Sequence, residues 1–281
     1  ARGAHVIAIA TDGNEDIQHH ADDVIYVPKT PNFLQAVLAA LPLQLLAYRI
    51  ARLRGAASGG VITGTDKVRS GFGNGDCILL DFIHGVFAVA DGSERFPWAS
   101  RDLLLRLRGS LSNSGAPDSL EGWIAMLNDE VYSGQKYQHK TTFSCVAVDG
   151  DGSERTLFIA HGGDSAVTIV DPSDGAIMFQ TGRDMNFAGR STMIADCTEH
   201  RIRDRGLRVV LSTDGFNDLL RYCKKHAVYP RLSRVLADVP VDGIPEEMHR
   251  VLGEHRGSIE HDDIGLVVID PFALGAPRDA A

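Results

Sequence analysis

Three aspartates stand where apolar runs end or begin: Val86-Phe-Ala-Val-Ala-Asp91-Gly92, Val209-Val-Leu-Ser-Thr-Asp214-Gly215 and Asp262-Asp263-Ile-Gly-Leu-Val-Val-Ile269. Hard divalent cations such as Mg²⁺ and Mn²⁺ take carboxylate oxygens. Strand ends meeting at one edge of a sheet present them without a flexible arm. The triplet therefore points to a magnesium or manganese site and to metal-assisted phosphoryl chemistry. Asp-Gly is also a common turn, because Gly accepts positive φ and Asp caps its own turn. The pairs at Asp12, Asp149, Asp151, Asp174 and Asp242 read as such turns. Asp91 and Asp214 differ in following apolar runs, and Asp262 in preceding one with a second carboxylate beside it.

The elements that must carry these residues fall into two segments. Residues 1–55 read as strand, helix, strand, helix: His5–Ala10, a turn and helix start at Asp12, Val24–Val27, and a long helix from about Asn32 to Arg54. That order is a piece of an α/β sheet, too small to be stable alone. Ala56-Ala-Ser-Gly-Gly60 is small and flexible and reads as a linker. Beyond it, strand-like runs appear at Cys77–Leu80, Val86–Ala90, Thr142–Val148, Leu157–His161, Ala166–Val170, Ala176–Gln180, Leu207–Ser212 and Leu266–Ile269. Helical stretches intervene at about 98–111, 120–132, 216–225, 230–237 and 245–256. This pattern predicts an α+β domain over 61–270, with helices covering two packed sheets. Residues 271–281, rich in Ala, Gly and Pro, read as a frayed tail.

Composition narrows the function classes. The 281 residues are 44% hydrophobic and 23% charged, as in ordinary soluble proteins. A net charge of −9 argues against a nucleic-acid or anionic-membrane partner. The apolar stretch Phe33–Leu53 contains Gln35, Pro42, Gln44, Arg49 and Arg52, too polar for a membrane span. Cys77, Cys145, Cys197 and Cys223 form no C-x-x-C pair and read as free thiols of a cytoplasmic protein.

Residues 1–55 resemble the C-terminal end of the isomerase (SIS) domain of glutamine–fructose-6-phosphate aminotransferase. The matching blocks are Gly3-Ala-His-Val-Ile-Ala-Ile-Ala-Thr11, Ala21-Asp-Asp-Val-Ile-Tyr-Val-Pro28 and Leu41-Pro-Leu-Gln-Leu-Leu-Ala-Tyr48 through Leu53-Arg-Gly55. In that family a tail completing the sugar-phosphate site follows; here the chain runs into Ala56–Gly60. The resemblance implies a relic, a fusion remnant or a partial gene product, not a working aminotransferase.

Residues 61–270 resemble the metal-dependent PPM-type (phosphatase-2C-like) protein serine/threonine phosphatases. Val68-Arg69 followed by Asn74-Gly75-Asp76 is similar to that family's Arg and Asn-Glu-Asp. Asp91-Gly92, Thr141-Thr142, Gly163-Asp164-Ser165, Ser212-Thr-Asp214-Gly215 and Asp262-Asp263-Ile-Gly265 resemble its further motifs, in its order. The resemblance implies an α-β-β-α sandwich of two antiparallel sheets flanked by helices, preceded here by the βαβα fragment of the SIS-like domain. It also implies two Mg²⁺ or Mn²⁺ ions about 4 Å apart, a metal-bridged hydroxide as nucleophile, and a phosphorylated protein as substrate. Asp91 would bridge the ions, the Gly92 carbonyl would complete one shell, and Asp214 and Asp262 would hold the other metal. Arg69 would grip phosphate oxygens with its planar fork, and Asp76 would orient metal-bound water. Asp164 would add a weaker metal contact or cap a turn.

Three departures bear on these roles. Gly75 stands at the Glu position, Arg69 lies two residues farther from the motif than usual, and Ser93-Glu94-Arg95 replaces the His-Gly-Gly that often follows Asp-Gly. Glu94 is a candidate replacement ligand and Arg95 a candidate phosphate contact. His161 reads as a structural histidine, Trp98 and Trp123 as core or groove packing, and Arg201, Arg203, Arg205 and Arg208 as a solvated loop. The readings that follow are a phosphoserine/phosphothreonine phosphatase, a catalytically weak phosphoprotein-binding module, or a remnant of the aminotransferase.

Overall fold

A computed structural model describes residues 6–31, 34, 38, 42, 55–71, 73–93, 96–136, 139–150, 152–194, 196–225, 239–254 and 260–274. The chain divides into two compact units, Ala1–Leu53 and Arg54–Ala281. In the first, β1 (Ile7–Thr11) and β2 (Asp23–Val27) pair in parallel, with Ile7 opposite Asp23. A short 3₁₀ turn, Asp16–His19, lies between them. Both expected strands are present. The helix expected over 32–54 lies almost entirely outside the described residues.

The second unit begins with β3 (Ala57–Ile62), α1 (Thr65–Ser70), β4 (Asp76–Asp81) and β5 (Val86–Asp91). Two helices follow: α2 (Ala99–Ser114) and α3 (Leu120–Met126), the latter running on as a π-helical turn to Tyr132. Then come β6 (Phe143–Asp149), β7 (Arg155–Gly162), β8 (Ala166–Asp171), β9 (Ala176–Gln180), β10 (Asp196–Ile202) and β11 (Arg208–Ser212). The last elements are α4 (Asp214–Lys225), α5 (Ile244–Glu254) and β12 (Ile264–Ile269). The strands form two antiparallel five-stranded sheets, ordered β10-β7-β6-β5-β4 and β3-β12-β11-β8-β9.

Side-chain alternation along the strands builds the layers. Val86, Ala88, Cys145, Ala147, Phe158 and Ala160 pack under Leu103, Leu107, Leu111, Trp123 and Leu127 of the first helical layer. Their neighbours Phe87, Val89, Val146, Val148, Leu157 and Ile159 pack against Val167, Ile169, Val209, Leu211, Val267 and Ile269 of the other sheet. On its far side, Val170, Val210, Leu266 and Val268 meet Phe216, Leu219, Ile244, Met248 and Val251. The result is the expected helix–sheet–sheet–helix sandwich. The helices bury one stripe each, and Ile244, Met248 and Val251 recur at helical spacing. Ser119 caps α3, its Oγ accepting the Gly122 N–H at 3.3 Å.

Three expectations are corrected. Residues 56–60, read as a flexible linker, are packed backbone. Ala56 and Ala57 are buried, and β3 pairs with β12 from Ala57↔Ile269 to Ile62↔Ile264. Small residues serve close approach there: a Cβ on Gly59 would lie 2.8 Å from the Leu266 carbonyl oxygen and 2.9 Å from Val267 Cγ2. The arginine cluster is not simply a loop, since Arg201 lies on β10 and Arg208 on β11. Edge strand β10 escaped notice because its sequence, DCTEHRI, is mostly polar. The segment after Pro271 is held at least to Leu274, which is buried and whose carbonyl accepts Arg155 Nη2 at 2.7 Å. The helix expected at 230–237 lies outside the described residues. Among the described residues no helix is long and apolar enough to cross a membrane.

Candidate active site

The β4–β5 register sets Asp76 directly opposite Asp91. Phe87 and Val89 face the second sheet, so Asp91, two residues on, points the same way and brings Asp76 with it. From the second sheet, Val209 and Leu211 face inward, and Thr213 continues their parity. Its hydroxyl donates to Asp76 Oδ2 at 2.7 Å and accepts the Gly265 N–H at 2.8 Å. Asp214 opens α4 directly afterwards and acts by charge on both Asp76 and Asp91.

On β12 the inward residues are Val267 and Ile269, and that parity continues back to Asp263. Asp263 is 2% exposed. Its Oδ1 accepts the Gly64 N–H at 2.7 Å; its Oδ2 accepts the Gly75 N–H at 2.6 Å and Lys67 Nζ at 2.7 Å. Asp262 has the opposite parity, and its side chain is 61% exposed. Its Oδ1 accepts the Asp263 N–H at 2.7 Å and lies 3.1 Å from Lys67 Nζ.

The electrostatics follow from burial and crowding. Asp76 and Asp91 stand opposite each other, and each perturbs the other's carboxyl. Burial, opposed by the Thr213 hydrogen bond and reinforced by the charge of Asp263, raises the Asp76 carboxyl to about 7. Burial and the charges of Asp76 and Asp214 push Asp91 well above the usual carboxylate range. Two adjacent buried carboxylates cannot both ionise without a proton or a cation between them. Asp76 Oδ1 is buried with no hydrogen-bond partner. Burial opposes the Lys67 charge, but hydrogen bonds to Asp263 and Asp262 outweigh it and hold the ammonium above the ordinary lysine range.

Backbone packing fixes the carboxylates. Thr141 Oγ1 donates to the Asp91 carbonyl at 2.6 Å, and the Asp91 N–H donates to Thr142 Oγ1 at 2.9 Å. The Thr-Thr pair thus clamps Asp91 from β6. Gly13, Gly150, Gly152 and Gly175 are turn glycines with φ of 66–89°. Gly92 and Gly215 serve close approach instead: a Cβ on Gly92 would meet Pro97 O at 2.9 Å, and one on Gly215 would meet Asp263 O at 2.0 Å. Gly75 also lies tight, with its Cβ position 2.4 Å from the Gly92 carbonyl oxygen. The Gly92 N–H donates to Gly75 O at 2.8 Å, and Ser100 Oγ donates to the same carbonyl at 2.6 Å.

The other expected residues scatter. Arg69 Nη1 reaches Asp66 Oδ1 at 3.3 Å and Glu260 Oε1 at 3.1 Å, with its side chain 63% exposed. Asp66 and Glu260, with Gly64, Lys67, His261 and Asp262, line an open depression of about 270 Å³. Asp164 lies in the turn after β7 and acts on His161, whose Nδ1 meets Ser144 Oγ at 3.2 Å inside the domain. Glu94 and Arg95 lie outside the described residues. Trp123 is core, whereas Trp98 is half exposed and packs edge-on to Phe96. The described cysteines, Cys77, Cys145 and Cys197, are free.

Sequence reasoning missed Lys67, Asp263 and Thr213. Thr213 and Asp263 each sit beside a singled-out aspartate; the inward parity that distinguishes Asp263 is set by sheet packing, because β12 is buried on both faces. Lys67 carries no local signal; only its place on α1 brings it to Asp263.

No protein-family model matches the chain. The fold has clear relatives among solved structures. The PPM Ser-Thr phosphatase MsPP from Mycobacterium smegmatis, in complex with cacodylate, superposes with a TM-score of 0.52 at 20% identity, covering 76% of this chain and 97% of that one. The fold is that of the PPM serine/threonine phosphatases. The catalytic domain of the phosphatase PstP, in complex with two manganese ions, gives a TM-score of 0.53 at 15% identity, covering 76% and 96%. Curated relatives match a different part of the sequence. Glutamine–fructose-6-phosphate aminotransferase of Thermus thermophilus is 56% identical over 55 residues, which are 20% of this chain and 9% of that protein. The Symbiobacterium thermophilum enzyme is 41% identical over 70 residues, 10% of its length. The chain thus spans about a tenth of these relatives.

The PPM fold implies divalent ions, and the donor set fits one of them. Asp76, Asp91 and Asp214 are hard oxygen donors crowded together, and Asp76 Oδ1 is buried with no hydrogen-bond partner. Among the described residues no three His, Cys, Asp or Glu side chains already stand at metal-ligand spacing. A second ion fits poorly. The Glu position is Gly75, the Gly92 carbonyl packs on Gly75, and Asp262 is engaged by Lys67.

Proposed function

We propose that the PPM-fold unit is a divalent-metal-dependent phosphatase acting on phosphoserine or phosphothreonine of cytoplasmic proteins. The observation that carries this reading is the buried Asp76–Asp91 pair beside Asp214, a negative cluster with an unpartnered oxygen. Bound Mg²⁺ or Mn²⁺ would neutralise that charge, polarise the phosphoryl group and acidify a water. Asp91 and Asp214 are the proposed ligands, with Asp262 and the Gly92 carbonyl contributing where the ion's position allows. Asp76 Oδ1 would accept a hydrogen bond from the attacking water and can hold a proton near neutrality. Arg69 is the proposed phosphate anchor, moving from Glu260 and Asp66 onto the phosphate by its planar fork. Asp164, Glu94 and Arg95 are auxiliary candidates. The open depression beside Asp262 leaves room for a peptide chain.

A second reading, a phosphoprotein-binding module with little turnover, is favoured by the close packing of Gly75 on the Gly92 carbonyl. The aminotransferase similarity spans 9% of that enzyme, and its activity is not carried over to this chain. The test is hydrolysis of p-nitrophenyl phosphate and a phosphothreonine peptide with Mn²⁺, with EDTA, and in Asp214→Ala. Loss of turnover under both perturbations is expected. Peptide binding without turnover in folded, Mn²⁺-loaded protein would replace the phosphatase by the binding module.

A further inference from the structure

Asp91 ends a strand that lies between β4 and β6. On the β4 side are Asp263, whose Oδ2 accepts the Gly75 N–H, and the depression lined by Asp66, Glu260 and Asp262. On the β6 side a short backbone seam continues the sheet. Gly92 bridges to Thr141 and Thr141 to Ala188, the Thr141 N–H donating to Ala188 O at 3.1 Å and the Ala188 N–H to Thr141 O at 2.9 Å. Thr141 Oγ1 also holds the Asp91 carbonyl, so the seam is tied to the backbone of the carboxylate cluster. Lys140 precedes Thr141, and its Nζ lies 5.7 Å from the Phe187 ring centroid. The Lys136 carbonyl accepts the His139 N–H at 2.8 Å. A Cβ on Gly189 would lie 2.5 Å from that same carbonyl oxygen, which sets the Lys136 backbone against the residue before Arg190.

Lys136, Lys140 and Arg190 are exposed, and among the described residues no carboxylate pairs with any of them, Asp102 of α2 included. Asp184, three residues before Phe187, is turned elsewhere. Its Oδ1 accepts the Gly163 N–H at 2.9 Å and the Asn186 N–H at 2.6 Å, and its Oδ2 lies 3.4 Å from His161 Nε2. Unpaired cations gathered along one seam stand apart in a chain of net charge −9. Beside them three rings stack: Phe96 lies 5.6 Å from Trp98 and 5.1 Å from His139, and Trp98 lies 6.2 Å from His139. Trp98 is 48% exposed, so an indole face remains open to a peptide chain. We infer that this surface seats the polypeptide next to the phosphorylated residue and selects acidic side chains there. The rings take the backbone and apolar stems, and the three cations meet the carboxylates. The acidic depression on the β4 side disfavours the same residues, so the preference falls on one side of the phosphorylated residue only. The inference rests on the proposed phosphoprotein-directed reading and names its substrate class.

The test uses full-length protein and fluorescein-labelled phosphothreonine peptides carrying three Glu, three Ala or three Lys on either the N-terminal or the C-terminal side. Binding is read by fluorescence anisotropy in EDTA, and turnover by phosphate release in Mn²⁺. On one side only, wild type should bind the Glu peptide on the order of tenfold more tightly than the Lys peptide, a preference that shrinks in 0.5 M salt, roughly the screening expected of exposed charges. The double variant Lys136→Ala/Lys140→Ala should reduce that ratio to about twofold. Arg201→Ala/Arg203→Ala, the same loss of charge at the far end of β10, should keep it. Trp98→Ala should weaken all the peptides alike, on the order of fivefold. The ratio is internal to each protein, so it is read whatever the absolute affinity, and circular dichroism reports the fold. A wild-type preference on neither side or on both overturns the inference. So do a ratio kept by the lysine variant, one lost equally in the arginine variant, and unchanged affinities in folded Trp98→Ala. If a variant does not fold, the one-sided wild-type preference decides. Acidic preference without turnover sinks the phosphatase alone, and turnover without preference sinks this inference alone.

Discussion

Replacing Asp76 with asparagine should stabilise the metal-free protein at neutral and alkaline pH. The Asp76 carboxyl titrates near 3.8 when unperturbed and is raised to about 7 in the fold, first by burial. A folded pKa above the unfolded one means that folding takes up a proton between those limits. The favourable contribution is fully present below pH 3.8 and is lost as pH rises through about 7. Three pH units correspond to about 4 kcal/mol. An asparagine keeps an acceptor for the Thr213 hydroxyl, which donates at 2.7 Å, and gains an N–H for Asp91. It removes the charge and keeps the hydrogen bonds. Urea unfolding in EDTA from pH 4 to 8.5 should show wild-type stability declining with pH and the variant declining much less, with a gap on the order of 2–4 kcal/mol at pH 8. Mn²⁺ should close that gap by stabilising wild type more than the variant. Wild-type stability that is flat across this range without metal, or a variant that falls in parallel with it, would refute the reasoning.

Two glycines test the packing beneath the site. Gly75→Glu writes in the carboxylate of related phosphatases, yet its Cβ would lie 2.4 Å from the Gly92 carbonyl oxygen. The variant should lose about 1–3 kcal/mol in thermal or urea unfolding and gain no metal; a stable variant binding an extra Mn²⁺ would contradict that. Gly59→Val should cost a similar amount, about 1–3 kcal/mol, because β3 presses on Leu266, Val267 and Ile78. An unchanged melting temperature would mean that 57–60 behave as the linker their composition suggests.

Much of the sandwich was legible because its strands alternate between two buried environments or run apolar throughout. Val86–Asp91, Ala166–Asp171 and Ala176–Gln180 appear almost where expected. Two strands were not legible, for opposite reasons. In β3 the Ala, Ser and Gly residues that permit close packing are also those that make linkers flexible. In β10 an edge position leaves only Ile202 buried, and no apolar period survives.

The site divides in the same way. Sequence alone determined the donor types, their position at strand ends, and the distinction of Asp91-Gly92 and Asp214-Gly215 from the turn glycines. The family resemblance singled out Asp262, but the strand pattern itself offers nothing to set it against Asp263. The run from Ile264 to Ile269 is buried on both faces, so it carries no alternation to show which parity points between the sheets. Tertiary structure decided that Asp263 points inward, that Asp76 lies opposite Asp91, and that Thr213 and Lys67 reach them across 137 and 196 residues of sequence. Contacts that distant depend on strand register and layer packing, and the charge balance of the centre depends on those contacts.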